Sequence, residues 1–202
     1  MAHVLDRALD VARRLAHAGA LAGGLLILAA ALLVSVDVTL RKLANTTLGG
    51  ADELSGYALA IGSTWSFAFV LLARGHVRID ALYQHLPRKL AAICDLVAIV
   101  ALLVFASLIA WHGAGVLAQS WQLGARSNSS LAVPLAVPQA LWWIGYAGFV
   151  VCAALLLLRA AAAMRVGDLA EANRLIGARS IEEEAADELA SALAARNAGV
   201  IT

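Results

Sequence analysis

Charge is the scarce commodity in this sequence. Charged residues make up 14% of the 202 positions, against 62% hydrophobic residues. Soluble domains are nearer 25% charged and 45–50% apolar, so a water-solvated globule is excluded. Positive charge is also not gathered anywhere: the formal net charge is +1. Without a dense Lys/Arg patch to track phosphates, nucleic-acid binding is excluded as well. Cysteine is almost absent. Cys94 and Cys152 both lie in apolar runs at a spacing that resembles no metal or redox motif, and both read as small buried hydrophobes. No nucleotide loop, zinc-protease helix or nucleophile elbow is present. No catalytic residue, cofactor or metal is therefore expected, and the chain is not expected to be an enzyme. Haem also finds no holders. His3, His17, His76 and His85 fall at ends or in loops, and His112 alone borders an apolar run, so no facing pair exists at bundle depth.

What the sequence does have is long apolar runs. A bilayer core about 30 Å thick needs roughly 20 apolar residues per helix. Four runs meet that need, at about residues 18–40, 54–73, 90–111 and 138–158. The expected fold is an all-α integral membrane protein with four transmembrane helices, short interfacial helices and a helical tail. Residues 1–17 read as an amphipathic helix ahead of the membrane domain of residues 18–165. There Val4, Leu5, Ala8, Leu9, Ala12 and Leu15 recur at helical spacing, and Asp10 and Arg14 stand at i,i+4. Such a segment suits the lipid interface. Its two aspartates and the lack of a small-residue cleavage site argue against a cleaved signal peptide. Gly19 and Gly23 on the first span, and Gly56, Ala60, Gly62 and Ser66 on the second, are the small residues that let membrane helices approach closely.

Between the second and third spans, Ile79, Leu82, Tyr83 and Leu86 share one helical face, and Pro87 stops the segment. A short interfacial helix is expected there. Trp142, Trp143 and Tyr146 open the fourth span and suit a membrane–water boundary. The tail, residues 166–202, is polar and charged, with Ser180-Ile-Glu-Glu183 as a capping box for a further helix.

Lys and Arg near span ends set orientation. Arg7, Arg13, Arg14, Arg74, Arg78, Arg88, Lys89, Arg159 and Arg165 collect on one side; Arg41, Lys42 and Arg126 stand on the other. Both termini are therefore expected in the cytoplasm. Few ionisable residues fall within the spans. Asp37 is one turn from Arg41 and is expected to pair with it. Glu53 opens the second span, where a helix N-terminus favours a carboxylate, and Arg41 is within reach of it across the loop. Asp95 is expected to pair or to snorkel near Arg88 and Lys89.

These residues together resemble the small permease subunit of the tripartite ATP-independent periplasmic (TRAP) transporters. Arg41 closes span one. Asp52-Glu53-Leu54 opens span two, and Trp65 sits within it. Gly75-His76-Val77-Arg78-Ile79-Asp80 matches the family's Gly-His-hydrophobic-Arg-hydrophobic-Asp signature, and Leu86-Pro87 closes that segment. Ser129 through Pro134, with Pro138 and Trp142, resembles the stretch leading into span four. The likeness covers about residues 15–165. It departs at Lys42, where an aromatic commonly stands, and in the longer tail.

The resemblance implies a division of labour. A periplasmic substrate-binding protein captures an organic acid such as a C4-dicarboxylate. A large permease subunit carries the substrate and sodium sites, and the small subunit scaffolds it in the bacterial inner membrane. On that reading Arg41, Glu53, Trp65, His76, Arg78, Asp80, Pro87 and Pro134 are structural or subunit-interface residues, and membrane lipid is the other partner. The alternatives are a stand-alone four-span exporter, which needs a carboxylate deep in its first span, and a membrane anchor subunit of an electron-transfer complex.

Overall fold

The structure, a computed structural model, describes residues 2–75 and 87–177 and scattered positions between 185 and 196. The chain forms α1 (Ala2–Ala44), α2 (Ala51–Leu72), α3 (Arg88–Gln122), α4 (Ala136–Arg165) and α5 (Leu169–Ile176). The first four are each long and apolar enough to cross a membrane. No strand occurs among the described residues, where the sole β feature is an isolated bridge between Arg126 and Pro134. The chain is an all-α, multi-pass membrane protein.

Residues 1–17 and the first span are not separate elements. α1 runs unbroken for 43 residues, a rise of about 64 Å, roughly twice the bilayer core. The change at His17 is one of polarity and carries no helix breaker: no proline interrupts Ala2–Ala44. α1 ends where Asn45 turns left-handed at φ 49. Gly49 and Gly50, at φ 68 and 83, then turn the chain into α2. The third helix likewise continues past residue 111 to Gln122, and the fourth begins at Ala136 and holds to Arg165. Pro138 sits in the first turn of α4, where a missing N–H leaves no hydrogen bond unmade.

α4 is the centre of the bundle. It packs on α1, α2, α3 and α5, whereas α3 packs on α4 and α5 with almost nothing against α1 or α2. The core follows from that. Phe149, Cys152, Ala153, Leu156 and Ala160 of α4 are buried among Leu9 and Ala16 of α1, Ala68 and Leu71 of α2, Ile99 and Ala106 of α3, and Ile176 of α5. Cys152 is thus the buried hydrophobe expected of it, but Cys94 is exposed on α3.

Glycine sets the closest approaches. A Cβ on Gly23 would stand 2.7 Å from the carbonyl oxygen of Gly62, and one on Gly62 equally close to that of Gly23. Here the backbones of α1 and α2 touch directly. Gly56, on the same helix, faces open space, so the second span's stripe packs through Gly62 and not through its first member. Gly113 gives way to the Trp142 ring and Gly145 to Thr64 and Trp65. The Trp143 indole N–H donates to the Ala110 carbonyl at 2.8 Å, tying α3 to α4.

The N-terminal turns of α1 are held by the last turns of α4. Arg159 donates to Asp6 at 2.7 Å and to Glu171 of α5 at 3.3 Å. α5 is opened by Asp168, whose carboxylate accepts the Glu171 N–H at 3.0 Å. The i,i+4 pair expected of Asp10 and Arg14 is replaced by an i,i+3 bond, with Arg13 donating to Asp10 at 3.2 Å. Asp95 is buried on α3 and has a partner, so it does not snorkel to the surface.

Candidate docking surface at the loop end

At the end where α1 finishes and α2 begins, two carboxylates organise the loops. Asp37 is 1% exposed although it lies near the end of its helix. Arg41, one turn on, donates to its Oδ2 through both Nε and Nη2. Its other oxygen accepts the Thr47 hydroxyl at 2.8 Å and the Leu48 N–H at 2.7 Å. One carboxylate therefore satisfies a guanidinium and folds the following loop back over the helix end. Hydrogen bonds to a charged group are each worth about 1.5–3 kcal/mol, which is why so polar a group is tolerated at that depth.

Glu53 does the same for the second loop. Tyr57, one turn along α2, donates to Oε1 at 2.5 Å, and Ser129 of the α3–α4 loop donates to Oε2. The Ser129 hydroxyl also lies 3.2 Å from that of Ser127 and accepts the Leu131 N–H. Ser127 accepts the Val133 N–H at 2.9 Å through its hydroxyl and donates its own N–H to the Val133 carbonyl. Arg126 donates to the Ala132 carbonyl at 3.1 Å beside the bridge to Pro134. The loop is thereby a small closed turn latched to the start of α2. Leu131 occupies the space a Cβ on Gly50 would need.

The expected reach of Arg41 across to Glu53 is not made. Arg41 pairs with Asp37 and stands 3.9 Å from the exposed Asp52 instead. Arg41, Asn45, Thr46, Thr47 and Asp52 line an open polar recess of about 550 Å³. Of the other residues singled out, Trp65 lies deeper and donates its indole N–H to the Leu141 carbonyl at 2.9 Å, a link between α2 and α4. Pro87 caps the start of α3 in extended conformation, and its carbonyl accepts the N–H of Leu90 and Ala91. Pro134 holds the latched loop. The structure thus brings Glu53 and Pro134 to one corner with Arg41 beside it, and leaves Trp65 and Pro87 apart. His76, Arg78 and Asp80, the expected interfacial helix and the capping box at Ser180 lie outside the described residues. Sequence reasoning passed over Tyr57, read Ser129 only as part of the family-like stretch, and gave Thr47 and Ser127 no role beyond the loops that hold them. Tyr57 carries a signal, its i+4 spacing from Glu53, whereas Ser129 lies 76 residues away in the chain and its bond to Glu53 has no local signature.

Residues 30–163 match the family described as "Tripartite ATP-independent periplasmic transporters, DctQ component". The chain belongs to this family. The DctQ component is the small permease of a TRAP transporter, a transport component and not an enzyme. The match opens within α1 and closes near the end of α4, so it contains both carboxylate-centred loops, the last part of the first span and the three spans that follow. No curated protein and no solved structure matches the chain.

Proposed function

We propose that this DctQ protein scaffolds the large permease subunit of its transporter, for uptake of an organic acid such as a dicarboxylate by symport. The carrying observation is where its polarity lies. Asp37 and Glu53 are consumed in fixing loops at one end of the bundle, and Arg159 in tying Asp6 and Glu171 at the other. A solute path needs polar groups or broken helices facing one another near mid-membrane. Here the mid-membrane contacts are glycine on glycine and tryptophan on backbone carbonyl. The outer faces of α1 and α3 meanwhile present Leu21, Leu25, Leu28 and Leu32, and Val104, Leu108 and Trp111, all left more than half exposed by this chain. A larger membrane partner fits one of these faces.

The loop end carrying Arg41, Glu53 and Pro134 is the side on which a periplasmic binding protein delivers its substrate. That follows from the positive-inside rule, with both termini in the cytoplasm of an inner-membrane protein. Two measurements test this reading. A tagged copy is expected to co-purify with the large permease subunit in mild detergent, and liposomes holding this chain alone are expected to accumulate no organic acid. Uptake by the chain alone would overturn it and favour the exporter. A cysteine placed by Asn128→Cys is expected to react with an impermeant thiol reagent from outside; reaction from the inside alone would reverse the topology.

A further inference from the structure

We propose that the groove between α1 and α4 holds one acyl chain of an anionic phospholipid, with its headgroup phosphate on Arg7 and Arg14. The groove has a volume of about 520 Å³ and is walled by Ala12, Leu15, Gly19 and Ala22 of α1 and by Gly148 and Val151 of α4, among others. Trp65 and Ala68 of α2 form its floor. It exists because α1 and α4 are clasped at one end by Asp6 and Arg159 and are separated beyond it by small residues.

Its length selects the occupant. From Ala12 to Ala22 α1 rises about 15 Å, half of the roughly 30 Å hydrocarbon core. Trp65 closes the far end, with its indole bonded to the Leu141 carbonyl. Just beyond, Gly23 meets Gly62 and seals α1 onto α2. A spanning helix from a partner needs a channel through both leaflets; this groove runs along α1 for the depth of a single leaflet. An acyl chain has that length and that need for a wholly apolar wall.

The open end supplies charge complementarity. Arg14 adjoins Leu15 and stands one turn before Ala18, both of which line the groove. Arg7 stands two turns earlier along the same edge of the helix. Both are exposed, and neither has an ion-pair partner among the described residues, Asp10 being bound to Arg13 and Asp6 to Arg159. Two uncompensated cations at the mouth of a leaflet-deep apolar groove match a phosphate above an acyl chain. Gly148, one of the lining residues, carries no Cβ although nothing in the chain stands within 4 Å of where one would be. Glycine weakens a helix by about 1 kcal/mol relative to alanine, and no contact within this chain requires it there.

The test is native mass spectrometry of the full-length chain carrying added phosphatidylglycerol or phosphatidylcholine. Phosphatidylglycerol is expected to be retained at least tenfold better. Arg7→Gln and Arg14→Gln are each expected to cut that preference about fivefold and to leave phosphatidylcholine retention unchanged. Gly148→Leu adds bulk to the groove wall where a Cβ meets nothing within 4 Å, and is expected to lower retention of both lipids. Equal retention of the two lipids by the unaltered chain, or full retention by Gly148→Leu, would mean bulk lipid only and would overturn the proposal. A photoreactive side chain at Val151 that crosslinks to a polypeptide instead of to lipid in native membranes would assign the groove to a partner and overturn it equally.

Discussion

Replacing Gly62 by alanine tests whether the α1–α2 contact is as close as its geometry states. The new Cβ would stand 2.7 Å from the Gly23 carbonyl oxygen and 2.8 Å from the Ile27 side chain, where ordinary contact begins at 3.4 Å. Ile27 can turn aside by changing rotamer. The carbonyl is fixed by α1's own hydrogen bonds, so the whole helix must shift by about 0.7 Å, the difference between those distances. Overpacking of this kind costs about 1–3 kcal/mol. Alanine's better helix propensity returns up to about 1 kcal/mol. A net loss of up to about 2 kcal/mol is expected for Gly62→Ala. Gly24→Ala and Gly56→Ala, whose Cβ atoms meet nothing within 4 Å, are expected to lose nothing. The assay is the unfolding free energy in mixed micelles on titration with a denaturing detergent, followed by tryptophan fluorescence. If Gly62→Ala unfolds with the two control substitutions, the backbones do not touch and the reasoning fails.

Three further outcomes are expected. Glu53→Gln keeps the shape of the side chain but removes the charge that gathers Tyr57 and Ser129; the weakened latch should appear as faster proteolysis within residues 124–135. Unchanged cleavage would refute the latch. Asp37→Asn takes away the close partner of Arg41, leaving it the exposed Asp52 at 3.9 Å, and weakens the bonds from Thr47 and Leu48. Because Arg41 is half exposed and screened by solvent, the expected effect is local, read as faster amide exchange at Leu48; unchanged exchange there would refute the role of Asp37 in folding the loop back. Trp65→Phe keeps an aromatic side chain but loses the indole N–H bond to Leu141, with an expected cost of about 1 kcal/mol or more measured in the same micelle titration; a stability equal to the parent would refute that link between α2 and α4.

The sequence was legible where the physics is local or compositional. Four spans followed from apolar run length, and the Asp37–Arg41 pair from i,i+4 spacing. Gly23 is a close-packing residue because a small residue on an apolar helix has few other uses. Boundaries were read less well. His17 marks the start of oil, and a helix does not stop where polarity changes, so α1 absorbs the segment before it. Arg126 to Val133 looks like a plain polar loop, yet its serines close on themselves and onto Glu53. That choice is made by where α2 and α4 come to rest, which pairs residues remote in the chain. Asp6 and Arg159 pair for the same reason. Gly113 lies just past the third apolar run and Gly145 within the fourth, and their importance depends on the aromatic rings that face them.

The central position of α4 bears on how the protein is made. Emerging from the ribosome, α1 and α2 already possess their mutual glycine contact and can settle as a hairpin. α3 then enters the bilayer with almost nothing to hold it, since its neighbours α4 and α5 are still unsynthesised. It waits as a lone helix, exposed to quality-control proteases, until the last span arrives and gathers the others around itself. A nascent chain stalled before Ala136 is therefore the species on which membrane chaperones have the most to do.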